Sequence, residues 1–396
     1  MPRRSAARAL AVAAGSVLWI AAACAAGVPA QARWASADGP VRTPSGAITG
    51  DLFGVSALTP TDAWAVGDQG RTLIVHWNGS VWSRVKSPSP GVAVLEAVSV
   101  RSASDAWAVG FYSRTAGSPG KRSLILHWNG SAWSVTRSGV LGRQGTQLAA
   151  VTAVSEDDAW AVGRYCPTSC FNQEVKSQAL VLHWNGKAWA RVRVPSPCGG
   201  SNYLHGVAAA SSHVAWAVGE CDSPTTGGSR PLLLRWDGAR WTASRGPDLG
   251  TVVNFLWGVA AVSGSAAWAV GEHYLRNGYT QASLILHWNG RRWSRVPSPD
   301  PGVNQNVLTS VSAVSAKDAW AAGFGGSASG QAQVLALRWD GTTWAPVLTN
   351  TTDAPFLVAV SADSGKDAWL VGIPNGNSCS RPLMLHWTGS AWTQDC

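Results

Sequence analysis

Methionine occurs only twice in 396 residues, and charged side chains make up 13% of the chain against 46% hydrophobic residues. So little charge with so much apolar material excludes an intrinsically disordered chain and leaves enough for a large core. The basic residues form no run, so there is no sign of a nucleic-acid stripe, and a solvated surface accounts for them. No Walker loop, nucleophile elbow, zinc-helix motif or Cys-x-x-Cys is present. Tyrosine (5) and phenylalanine (6) are scarce, whereas tryptophan (24) and glycine (43) are abundant. That combination points to many turns and many strands.

Residues 1–32 read as a secretory signal peptide. Arg3, Arg4 and Arg8 form a positive n-region, Ala9 to Ala26 is apolar, and Val28-Pro29-Ala30 and Ala30-Gln31-Ala32 offer small-x-small cleavage sites. An uncleaved span is the first alternative, but the segment is alanine-rich and a cleavage site follows it. Lipid anchoring at Cys24 is the second, with Ala21 standing where a large aliphatic residue is usual. A twin-arginine signal at Arg3-Arg4 is the third, without its surrounding pattern. Cleavage removes three arginines and no acid, so the net charge falls from +9 to +6 and no membrane segment remains. Six cysteines are left, an even number that suits disulfides in an exported chain.

The chain repeats itself seven times. Ala-Trp-Ala-Val-Gly or a near copy places Trp64, Trp107, Trp160, Trp216, Trp268, Trp320 and Trp369. A His/Arg-Trp-Asn/Asp/Thr-Gly motif follows, with Trp77, Trp128, Trp184, Trp236, Trp288, Trp339 and Trp387, and a third tryptophan comes three residues after its glycine. These landmarks take 21 of the 24 tryptophans, at a period of 43 to 56 residues. Before each first tryptophan stands Leu-x-small-Val, from Leu52 to Val55 through Leu357 to Val360. Repeats of this length mean a propeller or solenoid.

Each repeat parses as four strands, A to D: Leu-x-small-Val-Ser-Ala, then Ala-Trp-Ala-Val-Gly, then Leu-Ile-Leu-His-Trp, then a short strand opening on the third tryptophan. Asn-Gly or Asp-Gly between C and D predicts a two-residue type I′ hairpin. A four-stranded unit cannot bury both faces alone, but seven arranged radially cover one another. The fold expected is all-β, a seven-bladed β-propeller over residues 51–396, with residues 33–50 helping to close the ring against the last blade or lying over it.

The Ala-Trp-Ala-Val-Gly strand followed by the Asp/Asn-Gly…Trp hairpin resembles the photosystem II stability and assembly factor propellers and, more loosely, the Asp-box repeats of sialidases. The resemblance covers residues 51–396 and implies the fold. Asp237 and Trp241 stand four apart where an Asp-box has five, and no sialidase arginine triad is present.

With strand A innermost, the A–B and C–D turns share one face and are nearly uniform, while the B–C and D–A loops share the other and vary. Binding residues concentrate on such variable loops. All five tyrosines are expected in them, Tyr165, Tyr203, Tyr274 and Tyr279 being the candidates for ligand contact. The x of Leu-x-small-Val is Phe53, Glu96, Ala149, His205, Trp257, Thr309 and Val358. Trp257, His205 and Glu96 are then candidate ligand contacts at the channel mouth, against ordinary variation where packing is loose. Cys198 is expected to pair with Cys221, Cys379 with Cys396, and Cys166 with Cys170. His76, His127, His183, His287 and His386 recur once per blade, with Arg235 and Arg338 replacing two, and read as structural residues rather than metal ligands. No metal, cofactor or catalytic set is expected.

The function expected is that of a secreted, monomeric, non-catalytic scaffold for protein partners. A lectin-like propeller holding a cell-surface glycan is the alternative. A glycoside hydrolase or lyase comes third, since nothing in the sequence pairs Glu96, Glu174, Glu220, Asp222 and Glu272.

Overall fold

The computed structural model describes residues 48–116, 120–137, 145–166, 176–224, 228–250, 253–275, 280–327, 331–349, 356–373 and 382–394. The expected signal peptide, residues 33–47, Cys170, Glu174, Tyr279, Cys379 and Cys396 lie outside them. The chain divides into a unit ending at Pro40 and a second from Val41 to Cys396.

The second unit is a seven-bladed β-propeller. Each blade is one antiparallel sheet of four strands in chain order. In the first blade these are A (Asp51–Thr59), B (Asp62–Asp68), C (Thr72–Trp77) and D (Trp82–Arg84). The A strands of successive blades pack against one another in a closed ring, the seventh (Phe356–Ser364) against the first.

The tryptophans hold the ring together. Every strand-B indole packs on the two indoles of the next blade's C–D hairpin. Trp64 lies 5.0 Å from Trp128 and 5.4 Å from Trp133, the latter edge to face. The same trio recurs at each junction, from Trp107 with Trp184 and Trp189 to Trp320 with Trp387 and Trp392. The core is accordingly seven clusters, one per blade interface. Large flat rings with small neighbours give dense packing between sheets, each aromatic pair adding about 0.5–1.5 kcal/mol beyond its burial.

The recurring histidines sit inside this frame. His76, His127 and His183 stack on the tryptophan of their own strand B and hydrogen-bond Asp62, Asp105 and Asp158 at 2.8, 2.8 and 2.9 Å. His386 does the same with Trp369 and Asp367, and Arg338 with Trp320 and Asp318. Among the described residues no cluster of metal-ligating side chains occurs.

The C–D turn differs from the expected two-residue hairpin. Trp77 pairs with Trp82, which leaves four residues in the loop. Gly79 has φ +88°, but among the described residues no residue other than glycine has positive φ, so a type I′ turn is ruled out. Asn78 Oδ1 instead accepts the amides of Ser80 and Val81, both at 3.0 Å. An Asx cap replaces the strained asparagine backbone. Cys198 and Cys221 form the expected disulfide, with Cα atoms 5.8 Å apart. Cys166 is also disulfide-bonded.

Candidate binding site

Every A strand contains a β-bulge, and the bulged residue is in each case the variable x. Leu204 pairs with Gly219 and Gly206 with Val218, leaving His205 unopposed. The same shift isolates Phe53, Glu96, Ala149, Trp257, Thr309 and Val358. The glycine ending Ala-Trp-Ala-Val-Gly makes the bulge possible. A Cβ on Gly219 would fall onto the carbonyl oxygen of Tyr203, and one on Gly271 onto that of Phe255. The glycine is uniform for the same reason that x can vary. The bulge takes x out of the ladder and re-aims it.

Beyond the bulge the A–B ladder continues, so Tyr112, Tyr165, Tyr203 and Tyr274 stand on strand ends rather than in loops. Each blade thus presents three side chains at the variable-face end: x, the residue two before it, and the residue after the glycine. In blade 4 these are His205, Tyr203 and Glu220, and in blade 5 Trp257, Phe255 and Glu272. In blade 3 the residue after the glycine is Arg164, cross-strand from Gln147.

These side chains meet. His205 Nε2 lies 2.6 Å from Glu220 Oε2. Trp257 packs on His205 at 4.4 Å and on Phe255 at 5.8 Å, and its indole N–H donates to Glu272 at 3.4 Å. Gln281 Nε2 donates to Glu272 at 2.6 Å and to the Tyr274 hydroxyl at 2.8 Å. Arg164 donates to Gln147 at 2.7 Å and lies over the Tyr203 ring, while Lys121 lies over Phe111. Glu96, on blade 2, is in the field of Lys121, of Asp68 and Arg164 on the two neighbouring blades, and of His205 two blades away. The bulged residues therefore converge toward the axis.

Burial sets the electrostatics. It pushes Glu96 up to about 7, against the attraction of Lys121. It pushes Glu272 up to about 7 as well, helped by Glu220 and opposed by the Trp257 and Gln281 hydrogen bonds. The Lys121 ammonium is lowered by burial and then by Arg164. Half of the mouth is thus charged and aromatic. Blades 6 and 7 supply an apolar arc of Val307, Thr309, Phe324, Phe356, Val358 and Ile373, where Phe324 and Phe356 pack edge to face at 5.0 Å, and blade 1 adds Phe53, Asp51 and Asp68.

Of the residues singled out from the sequence, Trp257, His205, Glu96, Tyr203 and Tyr274 come together here. Tyr165 does not: it sits at the outer side of blade 3, bonded to Gln178 and Arg191. Glu220 and Glu272 are brought into one field, a pairing that the sequence did not reveal. Arg164, Lys121, Phe255 and Gln281 were missed. For Arg164 the signal was available, since the residue after the strand-B glycine changes from blade to blade as x does.

No protein-family model matches the chain, and no curated protein matches it by sequence. Solved structures do resemble it. YCF48 bound to D1 peptide is 13% identical, with a TM-score of 0.52 over 82% of this chain and 91% of that one. The WD40 propeller domain of Doa1 is 11% identical, with a TM-score of 0.51 over 85% and 96%. A polysaccharide lyase, the PL25 ulvan lyase bound to a glucuronate–sulfated rhamnose unit, is 9% identical, with a TM-score of 0.56 over 88% and 96%. At these identities the likeness is one of fold, and it bears out the resemblance to the assembly-factor propellers at that level.

Proposed function

We propose that the chain is a non-catalytic binding propeller, exported from the cytoplasm, that holds a peptide segment of a protein partner at the mouth formed by the seven bulges. The observation that carries this reading is the contrast between repeated frame and unrepeated mouth. Tryptophan, glycine and turn positions recur blade after blade, yet no two blades present the same three mouth residues. A surface used only for packing has no reason to vary where a built-in bulge points its residues at the axis. Mixed charges beside aromatic rings and an apolar arc suit a peptide, whose backbone and side chains supply all three chemistries. The similarity in fold to YCF48, solved with a peptide bound, is consistent with it. A disulfide suits an exported protein, and no helix among the described residues is long and apolar enough to cross a membrane. The test is selection from a random peptide display library, with Trp257→Ala as the comparison: peptides that bind the unaltered chain and not the variant support the reading.

A second reading is a glycan at the same mouth. The observation favouring it is the Trp257 indole flanked by His205 and Phe255, a platform suited to a sugar ring. A cell-wall polysaccharide screen with the same variant separates the two.

A further inference from the structure

The cations that form no run in the sequence are gathered by the fold. Strand D opens on a buried tryptophan and runs toward the variable face, and in blades 1 to 5 the positions two and four residues beyond that tryptophan, on its own face of the strand, are exposed. At these positions stand Arg84 and Lys86 in blade 1, Arg137 in blade 2, Arg193 in blade 3, Arg245 in blade 4 and Arg295 in blade 5. Among the described residues none of the six is in an ion pair. The acids that follow on the chain are engaged elsewhere: Asp248 caps the amide of Gly250, and Asp300 accepts from Ser283.

Cations on an edge strand guard against edge-to-edge pairing. That does not account for this set. Lys86, Arg137, Arg193 and Arg245 lie beyond the ends of their strands, at Arg84, Val135, Val192 and Ala243. Blades 6 and 7 present equally short outer strands with no cation at all, carrying Pro346 and Gln394 instead. The charge therefore lies on one side of the ring. In blade 1 it borders a cavity of about 430 Å³ lined by Arg71, Arg84 and Lys86 with Ser87 and Ser89, which offers cations and hydroxyls together.

We propose that the outer edge of blades 1 to 5 is a binding surface for an acidic carbohydrate polymer. Several unpaired cations spread over five consecutive blades match a partner of repeated negative charge rather than a single small anion. The Cys198–Cys221 disulfide suits the exported protein proposed above, and outside the cytoplasm acidic glycans rather than nucleic acids are the abundant polyanions. This surface is separate from the mouth and does not depend on what the mouth holds.

The test uses the whole mature chain, with heparin and polygalacturonate as acidic polysaccharides and a random double-stranded DNA as the comparison polyanion. One variant reverses Lys86, Arg137, Arg193 and Arg245 to glutamate. Its control reverses Lys187, Arg240, Arg291 and Arg292, four exposed cations on the C–D turns of the opposite face, so that both change net charge equally. Alanine at the same four edge positions serves if the reversed variant does not fold. The expected result is saturable, salt-sensitive polysaccharide binding that weakens about tenfold or more in the edge variant. It should stay within about twofold in the control and in Trp257→Ala. Equal loss in edge and control variants would show a response to net charge alone and overturn the proposal. Tighter binding to DNA than to either polysaccharide would overturn the assignment of the partner.

Discussion

Trp369 of the last blade meets Trp82 of the first edge to face, with ring centroids 5.0 Å apart and planes at 87°. This is the geometry found at the other six junctions, where Trp216, for example, meets Trp293 at 5.0 Å and 77°. The ring therefore closes by the same packing that holds its interior. Ile48, just before the first strand, adds to the cluster at this junction.

Closure is then expected to be as strong as the other interfaces. Trp82→Ala and Trp241→Ala, which remove the same ring at the closing and at an internal junction, should each cost about 3–5 kcal/mol in urea unfolding. A cost near zero for Trp82→Ala alone would mean that something other than this contact closes the ring.

Blade 5 lacks the acid that other blades place opposite the strand-C histidine or arginine: Ala266 stands where blades 1, 2, 3, 6 and 7 have aspartate. Burial holds the His287 imidazole below its ordinary range. The unfolded chain thus binds more protons than the fold near pH 6, and stability falls as the pH drops through that region. Ala266→Asp should supply a partner, raise the imidazole and add about 1 kcal/mol. That gain should be fully present below the unfolded value and fade as the pH rises through the folded one. Urea midpoints at pH 5 and pH 8 check the sign.

Glu272 behaves in the opposite sense. Its ordinary value is 4.5 and the fold raises it to about 7. Between those values the unfolded chain is ionised while the fold keeps its proton, so the fold loses stability as the pH rises, with the full cost above about 7. Glu272→Gln should therefore stabilise by roughly 1–3 kcal/mol at pH 8 and by little at pH 4. An equal effect at both values would place the origin outside its ionisation.

The Cys198–Cys221 link closes 23 residues of chain around the start of blade 4. Its removal as the double serine variant should cost about 3 kcal/mol, chiefly through the freedom regained by the unfolded chain. Because Cys166 is also disulfide-bonded, the double variant is a cleaner test than a reductant.

The frame was legible in the sequence because each blade obeys the same constraints and seven copies remove the ambiguity of one. Trp64 and its six counterparts read directly as strand residues facing a neighbouring blade. The turn is not legible in the same way, because Asn-Gly alone does not reveal that Trp77 and Trp82 pair across four residues. At the mouth, Trp257 and His205 were visible as departures from the repeat. Arg164 is not legible as a strand residue, because the repeated Ala-Trp-Ala-Val-Gly ends on its glycine, whereas the bulge lets the ladder run on. Lys121 and the outer cations were hidden for a different reason: they come together only through blades that the chain visits tens of residues apart.

The bulged residues are proposed to form one binding site. The most direct measurement is calorimetric titration of a peptide selected on the unaltered chain, repeated with Trp257→Ala, Arg164→Gln and the opposite-face variant Asn129→Ala. Loss of about 2 kcal/mol or more for each of the first two, with Asn129→Ala unchanged, is the predicted result. Equal affinity for all four proteins, or failure of the unaltered chain to select any peptide, would contradict it.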